Sequence, residues 1–378
     1  MKKRLPDVCQ IQYGYAFDSA KFSTDAGTPL IRIRDVLRGY SETYTSESCP
    51  DQYVIRDGDI LIGMDGEFNI ARWRGGRAYL NQRVCCLKPS AEICAEYLYY
   101  FMPRALKRIE DATPFVTVKH LSAKQLNGIE VPIPPIHQQR KEAASLEKID
   151  ELISLRKEQL TKLDQLVKSQ FIEMFGDMYV NSYNWPEKEL VELADVVSGI
   201  TKGRKTKSED LQEVPYMAVS NVKDGYIDWT NVKTILATRQ EIEQYRLLPN
   251  DVLMTEGGDP DKLGRGAIIK EPLENCIHQN HIFRVRLNDS ELLPVYFEEY
   301  LKHQRAKRYF LRCAKQTTGI ASINMKQLRA LPVLVPPMEK QLRFSSLVGQ
   351  IDKSKFAIQQ SLEKLETLKK ALMQKYFG

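Results

Sequence analysis

No apolar run in this chain approaches the roughly twenty residues that a helix needs to cross a bilayer. Met1-Lys2-Lys3-Arg4 leads straight into a strand-like segment, without the apolar core of a secretory signal. A cytoplasmic protein with no membrane contact is expected. Cysteine is sparse and irregular: seven residues, an odd number, with Cys85 and Cys86 adjacent and no CxxC. That excludes a disulfide framework and a zinc ribbon. Only five histidines are present. Cys276, His278 and His281 lie close together, but a metal would need a fourth ligand that the sequence does not offer. There is no GxxxxGK[ST] loop for nucleotide phosphates. The glycines of TEGGDPDKLGRG, residues 255–266, lack the strand-to-helix setting of a dinucleotide site. Asp259-Pro260-Asp261-Lys262 reads as a turn, not as a nuclease centre. No catalytic constellation emerges. Neither sign of charge dominates, and a net charge of +6 permits a polyanionic partner without requiring one.

What the chain does have is a repeat. The diproline Pro134-Pro135 opens a stretch that runs to Gly176, and Pro336-Pro337 opens a second that runs to Gly378. A constant offset of 202 aligns Gln139 with Gln341, Ile149-Asp150 with Ile351-Asp352, and Phe175-Gly176 with Phe377-Gly378, without a gap. Two long units are too few for a solenoid. Within the first copy, Ile149, Ile153, Leu160, Leu163 and Val167 fall on an alternating four-three spacing. Ile351, Ile358, Leu362, Leu365 and Leu372 do so in the second. Such a stripe predicts a coiled-coil seam on a helix of about forty residues, about 60 Å long. Each helix needs a partner for that stripe, and its twin is the simplest one.

The segments before the helices repeat as well. Pro29 to Tyr40 is echoed by Pro215 to Tyr226, Tyr53 to Leu61 by Tyr245 to Leu253, and Asn81-Gln82 by Gln279-Asn280. Pro29 to Val36 alternates like a strand. Asp57-Gly58 reads as a tight turn between strands, and Glu92 to Arg108 takes helical spacing. One helix is expected around Val295 to Leu311. The order of elements is duplicated while the loop side chains differ. The expected fold is mixed, α/β in the broad α+β sense. Residues 1–135 and 177–337 form two tandem homologous domains, and 136–176 and 338–378 form the helices that follow them.

Cations gather in the turns of both units. The first unit has Arg32, Arg34 and Arg38 at a strand and its turn, and Arg72, Arg74 and Arg77 around Trp73. The second has Lys202, Arg204, Lys205 and Lys207, then Lys262 and Arg265. Arg and Lys on turns neutralise phosphates, and Arg, Asn and Gln read base edges. Asn81 and Gln82, Asn221, Asn280 and His281 complete the candidate DNA-binding set. One other reading remains open at this point: a coiled-coil scaffold for protein partners, with incidental basic turns.

The duplicated plan, the glutamine after each diproline, the Ile-Asp pairs and the loop TEGGDPDKLGRG resemble the specificity subunit of type I DNA restriction-modification systems, over essentially the whole chain. The resemblance implies two target recognition domains and two long helices paired as an antiparallel coiled coil with pseudo-two-fold symmetry. It implies a non-catalytic subunit that reads a bipartite, asymmetric site in double-stranded DNA, one half per domain. It implies two methyltransferase subunits as partners, which hold S-adenosylmethionine. This chain itself would bind no cofactor. Restriction would add translocating nuclease subunits. One departure is the short N-terminus, which lacks the lead-in that the second unit has at Trp185-Pro186.

Overall fold

The computed structural model describes residues 1–113, 119–204, 210–259, 263–317 and 320–378. The chain divides into two compact units. The first comprises Met1–Glu158 and Gln359–Gly378, the second Gln159–Ile358.

In the first unit a four-stranded antiparallel sheet has the order Cys9–Tyr13, Val84–Pro89, Ile60–Gly63, Ile70–Arg72. The second unit repeats that order with Ala194–Ser198, Ile282–Leu287, Val252–Thr255 and Gly266–Ile268. A second sheet in each unit, of five strands in the first and three in the second, contains a short parallel pairing. Leu30 and Ile31 face Tyr79 and Leu80 in one unit; Tyr216 and Met217 face Ile277 and His278 in the other. The strand that opens each unit is tied to the strand before its diproline: Lys2–Arg4 pairs with Glu130–Pro132, and Glu187–Glu189 with Pro332–Leu334. The first unit's opening strand is thus anchored by that pairing.

Close backbone approach is duplicated too. A Cβ on Gly14 would lie 2.0 Å from the Asn81 carbonyl oxygen, and one on Gly199 would lie 2.0 Å from that of His278. Only glycine lets the chain cross there.

The long helices run Ile136–Phe175 and Met338–Phe377. Each unit takes part of both. In the first unit Asp150 meets Lys369 at 2.5 Å, and Arg156 Nε donates to Ser361 Oγ at 3.2 Å. In the second, Asp164 meets Lys355 at 2.5 Å, and Lys340 Nζ donates to the Met174 carbonyl at 3.1 Å. Partner numbers fall as residue numbers rise, so the helices pair antiparallel. Ile149, Val167, Ile351 and Leu362 are buried; Ile153, Leu160, Leu163, Ile358, Leu365 and Leu372 are half-buried.

The helices are not appendages. The first unit's core contains Ala143 and Leu146 from the first helix, and Phe377 from the end of the second. Phe377 lies edge-on to Tyr97 and Phe101. In the second unit Phe171 and Phe175 sit among Tyr296 and Phe344. The repeated glutamines explain their own recurrence. Gln139, fully buried, accepts from the Cys94 N–H at 2.9 Å and donates to the Glu92 and Pro134 carbonyls. Gln341 does the same with the Leu293 N–H and the Glu291 and Pro336 carbonyls. Each satisfies three backbone groups that burial would otherwise leave without partners.

Two expectations need correction. The strand over Pro29 to Val36 stops at Ile31, and Ile33–Arg38 is a helical turn. The Asp35 carboxylate accepts from the Arg32 N–H at 2.9 Å, and Gly39 ends the turn at φ 77°. That cap outweighs the alternating pattern. The helix expected around Val295 to Leu311 is two, Pro294–Lys302 and Gln304–Cys313, broken at an extended His303. Arg305 just beyond the break donates to the Met178 and Tyr179 carbonyls, a tertiary tie invisible in the local pattern.

Candidate nucleic-acid interface

The parallel pairing of each second sheet brings two separate stretches together. In the first unit the Asn81 N–H donates to the Ile31 carbonyl at 3.3 Å, which sets the turn Asn81-Gln82-Arg83 beside the strand end at Arg32. Between them lies a groove of about 580 Å³, lined by Phe17, Phe22, Arg32, Arg34, Gln82 and Arg83 among others. Arg34 is held by its Nη2 bond to Thr43 Oγ1 at 2.8 Å, and Arg83 faces Asp65 at 3.4 Å. Asp35, fully buried beneath, holds the Arg32 backbone. Burial pushes its carboxyl above the usual range, while the Arg32 N–H and the Arg34 and Arg38 charges pull the other way. Arg32 and Gln82 are exposed, and their side chains form no hydrogen bond or ion pair among the described residues.

The second unit has a depression of about 380 Å³ that overlaps the equivalent place at Val219 and His281, the counterparts of Ile33 and Arg83, and is otherwise lined by Glu256, Gly257 and Ser322. The correspondence is carried by backbone bonds. Met64 N–H donates to the Arg83 carbonyl at 3.0 Å, and Glu256 N–H donates to that of His281 at 3.0 Å. Here the chemistry differs: His281 Nδ1 lies 2.5 Å from Glu256 Oε2. Ala218 and Ser220 stand where the first unit has Arg32 and Arg34.

The candidate residues therefore separate. Arg32, Arg34, Asn81 and Gln82 share the first groove. Arg38, Arg72 and Arg74 instead line a crevice of about 600 Å³ against the first long helix, with Glu147, Asp150 and Glu151. Arg72 is committed there: it pairs with Glu147 at 3.4 Å and Glu96 at 3.8 Å, and stacks on Tyr99 at 4.8 Å. Arg38 pairs with Glu42 at 3.0 Å. Arg74 is exposed, and Arg77 is exposed with its guanidinium over the Tyr79 ring.

Two asparagines hold turns. Asn221 is buried, accepting from the Ala218 N–H at 3.0 Å and donating to the Asp228 carbonyl at 2.8 Å. It is the counterpart of Asp35, and its amide is not free for a base edge. Asn81, also buried, accepts from the Arg83 N–H at 3.4 Å. Arg204 is likewise engaged: Nε and Nη2 grip the Glu241 carboxylate at 2.7 and 2.6 Å. That hydrogen bond holds the Glu241 carboxyl below the ordinary range. Lys202 is exposed. Arg265 is half-buried, beside Lys307 and Glu298 in a cavity of about 240 Å³. Asn280 is half-buried. Lys205, Lys207 and Lys262 lie outside the described residues.

Sequence reasoning missed Arg83, Phe17, Phe22 and Glu256. Arg83 was within reach, since it follows Asn81-Gln82 directly. The phenylalanines and Glu256 reach the grooves only through long-range pairing. The three residues weighed as metal ligands do not converge. His278 Nδ1 lies 3.0 Å from the Ile282 carbonyl, and His281 is on Glu256. The Cys276 thiol is buried and pushed up to about 12 by that burial. Among the described residues no group of three or more His, Cys, Asp or Glu could hold a metal ion, and no helix is long and apolar enough to cross a membrane.

Two homologous units, each with a differently lined groove at the same junction and each built on the same pair of helices, define a tandem recognition protein. Comparison with known proteins gives the family. Residues 1–165 and 183–370 match the type I restriction modification DNA specificity domain, and the chain belongs to that family. It is 27% identical to the Type I restriction enzyme EcoBI specificity subunit of Escherichia coli, over 95% of this chain and 80% of that one. It is 22% identical to the EcoKI specificity subunit of Escherichia coli strain K12, over 92% and 81%. The fold matches the type I restriction-modification S subunit from M. genitalium with a TM-score of 0.62 at 15% identity, covering 100% of this chain and 96% of that one. A chain from a structure concerned with assembly and conformational transition of the type I R-M system gives 0.59 at 18% identity, covering 100% and 97%. Specificity subunits are the non-catalytic, DNA-recognising components of type I restriction-modification complexes.

Proposed function

We propose that this chain reads a bipartite, asymmetric site in double-stranded DNA, one half-site per unit, and carries two methyltransferase subunits. The observation behind this reading is the same parallel backbone pairing made in both units, each with a depression beside it lined by different side chains. Two identical grooves would favour a palindrome; two different ones favour an asymmetric site. The paired helices act as the spacer. Half-sites one duplex turn apart are separated by about 34 Å, within the roughly 60 Å that each helix spans. The methyl group comes from S-adenosylmethionine held by the partner subunits, and translocating nuclease subunits add restriction. The complex works on chromosomal DNA in the cytoplasm.

The test is the methylation pattern produced by the complex assembled from the full chain and its methyltransferase. We expect a two-part motif with a fixed gap. Binding to duplexes carrying that motif should weaken steeply with salt, by a slope of about 0.9 per phosphate neutralised, while staying tighter than to unrelated duplexes. Equal affinity for all duplexes at physiological salt would overturn the reading and leave the scaffold.

A further inference from the structure

Resting on that DNA-reading function, we propose that Arg32 reads a guanine in the half-site of the first unit, with Gln82 contacting the neighbouring base, and that the second unit makes no such guanine contact from the equivalent groove. The argument starts from which side chains in the first groove are uncommitted. Arg34 is held by Thr43 and Arg83 by Asp65, so both supply charge from fixed positions. Arg32 and Gln82 have exposed side chains without partners among the described residues. Their backbones are nevertheless fixed. Arg32 N–H donates to the buried Asp35 carboxylate at 2.9 Å, and the turn before Gln82 is bonded to Ile31. Anchored backbones with unengaged polar ends suit base readout, because no internal hydrogen bond must break when the base is met.

The donor geometry then selects the ligand. A guanidinium presents a planar fork that matches guanine O6 and N7, and a glutamine amide matches adenine N6 and N7. Phe17 and Phe22 give the same groove an apolar wall, of the kind that contacts a thymine methyl. The second unit supplies the contrast. Ala218, Ser220 and His281 replace Arg32, Arg34 and Arg83, so among the described residues its depression has no guanidinium lining, and it carries the Glu256 carboxylate.

The experiment sequences the methylation motif of the assembled complex for the natural chain, Arg32→Ala, Arg32→Lys and Gln82→Ala, with Glu130→Gln, on the strand paired with Lys2–Arg4, as a comparison. Arg32 makes no side-chain bond among the described residues, so thermal melting of its variants should match that of the natural chain. In Arg32→Ala a guanine required in one half of the motif should become dispensable, with discrimination falling about ten- to a hundredfold. The other half should be unchanged. Arg32→Lys should lose the same discrimination while keeping the salt dependence, because it retains charge but not the fork. Gln82→Ala should relax an adjacent position in the same half. Glu130→Gln should leave the motif intact. If Arg32→Ala and Arg32→Lys keep the full natural motif, the guanine assignment is wrong while the bipartite reading stands. Relaxation of both halves would also refute it. A natural chain whose complex methylates without any two-part motif would instead refute the function on which the inference rests.

Discussion

A single residue shows how burial can override the apparent chemistry of a side chain. His278 stands in sequence between Cys276 and His281, a spacing that invites a metal. In the fold it is fully buried, with Nδ1 on the Ile282 carbonyl. Burial drives its imidazole from 6.5 down to about 3, against the upward pull of that hydrogen bond and with help from the Arg284 charge. The folded chain keeps the ring neutral where the unfolded chain protonates it. The unfolded state therefore binds more protons between those two values, and His278 makes stability fall as pH drops through 6.5 towards 3. Urea unfolding measured at a series of pH values should show a shallower acid decline for His278→Gln than for the natural chain. Equal slopes would show that the histidine is not a source of acid sensitivity.

Elements, rather than residues, decide where each unit ends. The second long helix begins after the second diproline, yet its last turn belongs to the core of the first unit through Phe377, Met373 and Leu372. Phe175, at the same point of the first helix, serves the second unit. Truncating such a buried aromatic costs about 3–5 kcal/mol. Phe377→Ala should therefore loosen the first unit. Amide hydrogen exchange is expected to accelerate around Tyr97 and Phe101, far away in sequence, while strands of the second unit such as Val252–Thr255 keep their protection. Acceleration confined to the last turns of the helix would contradict the shared core.

At the scale of the whole molecule the proposed function makes the repeat a ruler. If the helices set the gap between half-sites, lengthening both should lengthen the unread stretch. Inserting four residues, about one helical turn, into the middle of each helix preserves the antiparallel pairing and adds about 6 Å. The methylation motif should keep both halves and gain roughly two base pairs between them, at about 3.4 Å of duplex each. An unchanged gap in an active complex would exclude the ruler.

Much of this was open to sequence reasoning. The constant offset from Gln139 to Gln341, the heptad stripe, the turn at Asp57-Gly58, and the absence of a catalytic constellation depend on local pattern and composition. Those are properties that a linear chain carries by itself. The candidate site was only partly legible. Arginines on turns are visible in sequence, but whether a guanidinium is free is not. Arg204 is gripped by Glu241, Arg72 by two glutamates and a tyrosine, and Asn221 closes its own turn. Apart from the Ala218 N–H on Asn221, each partner lies at least seven residues away, and most lie far more. The groove itself is a product of the short parallel pairing that sets Arg32 beside Gln82. The sequence alone thus determined that there are two units, two helices and basic turns. Tertiary structure decided which cations remain available, because ion pairs and buried hydrogen bonds depend on distance in space, which periodicity does not encode.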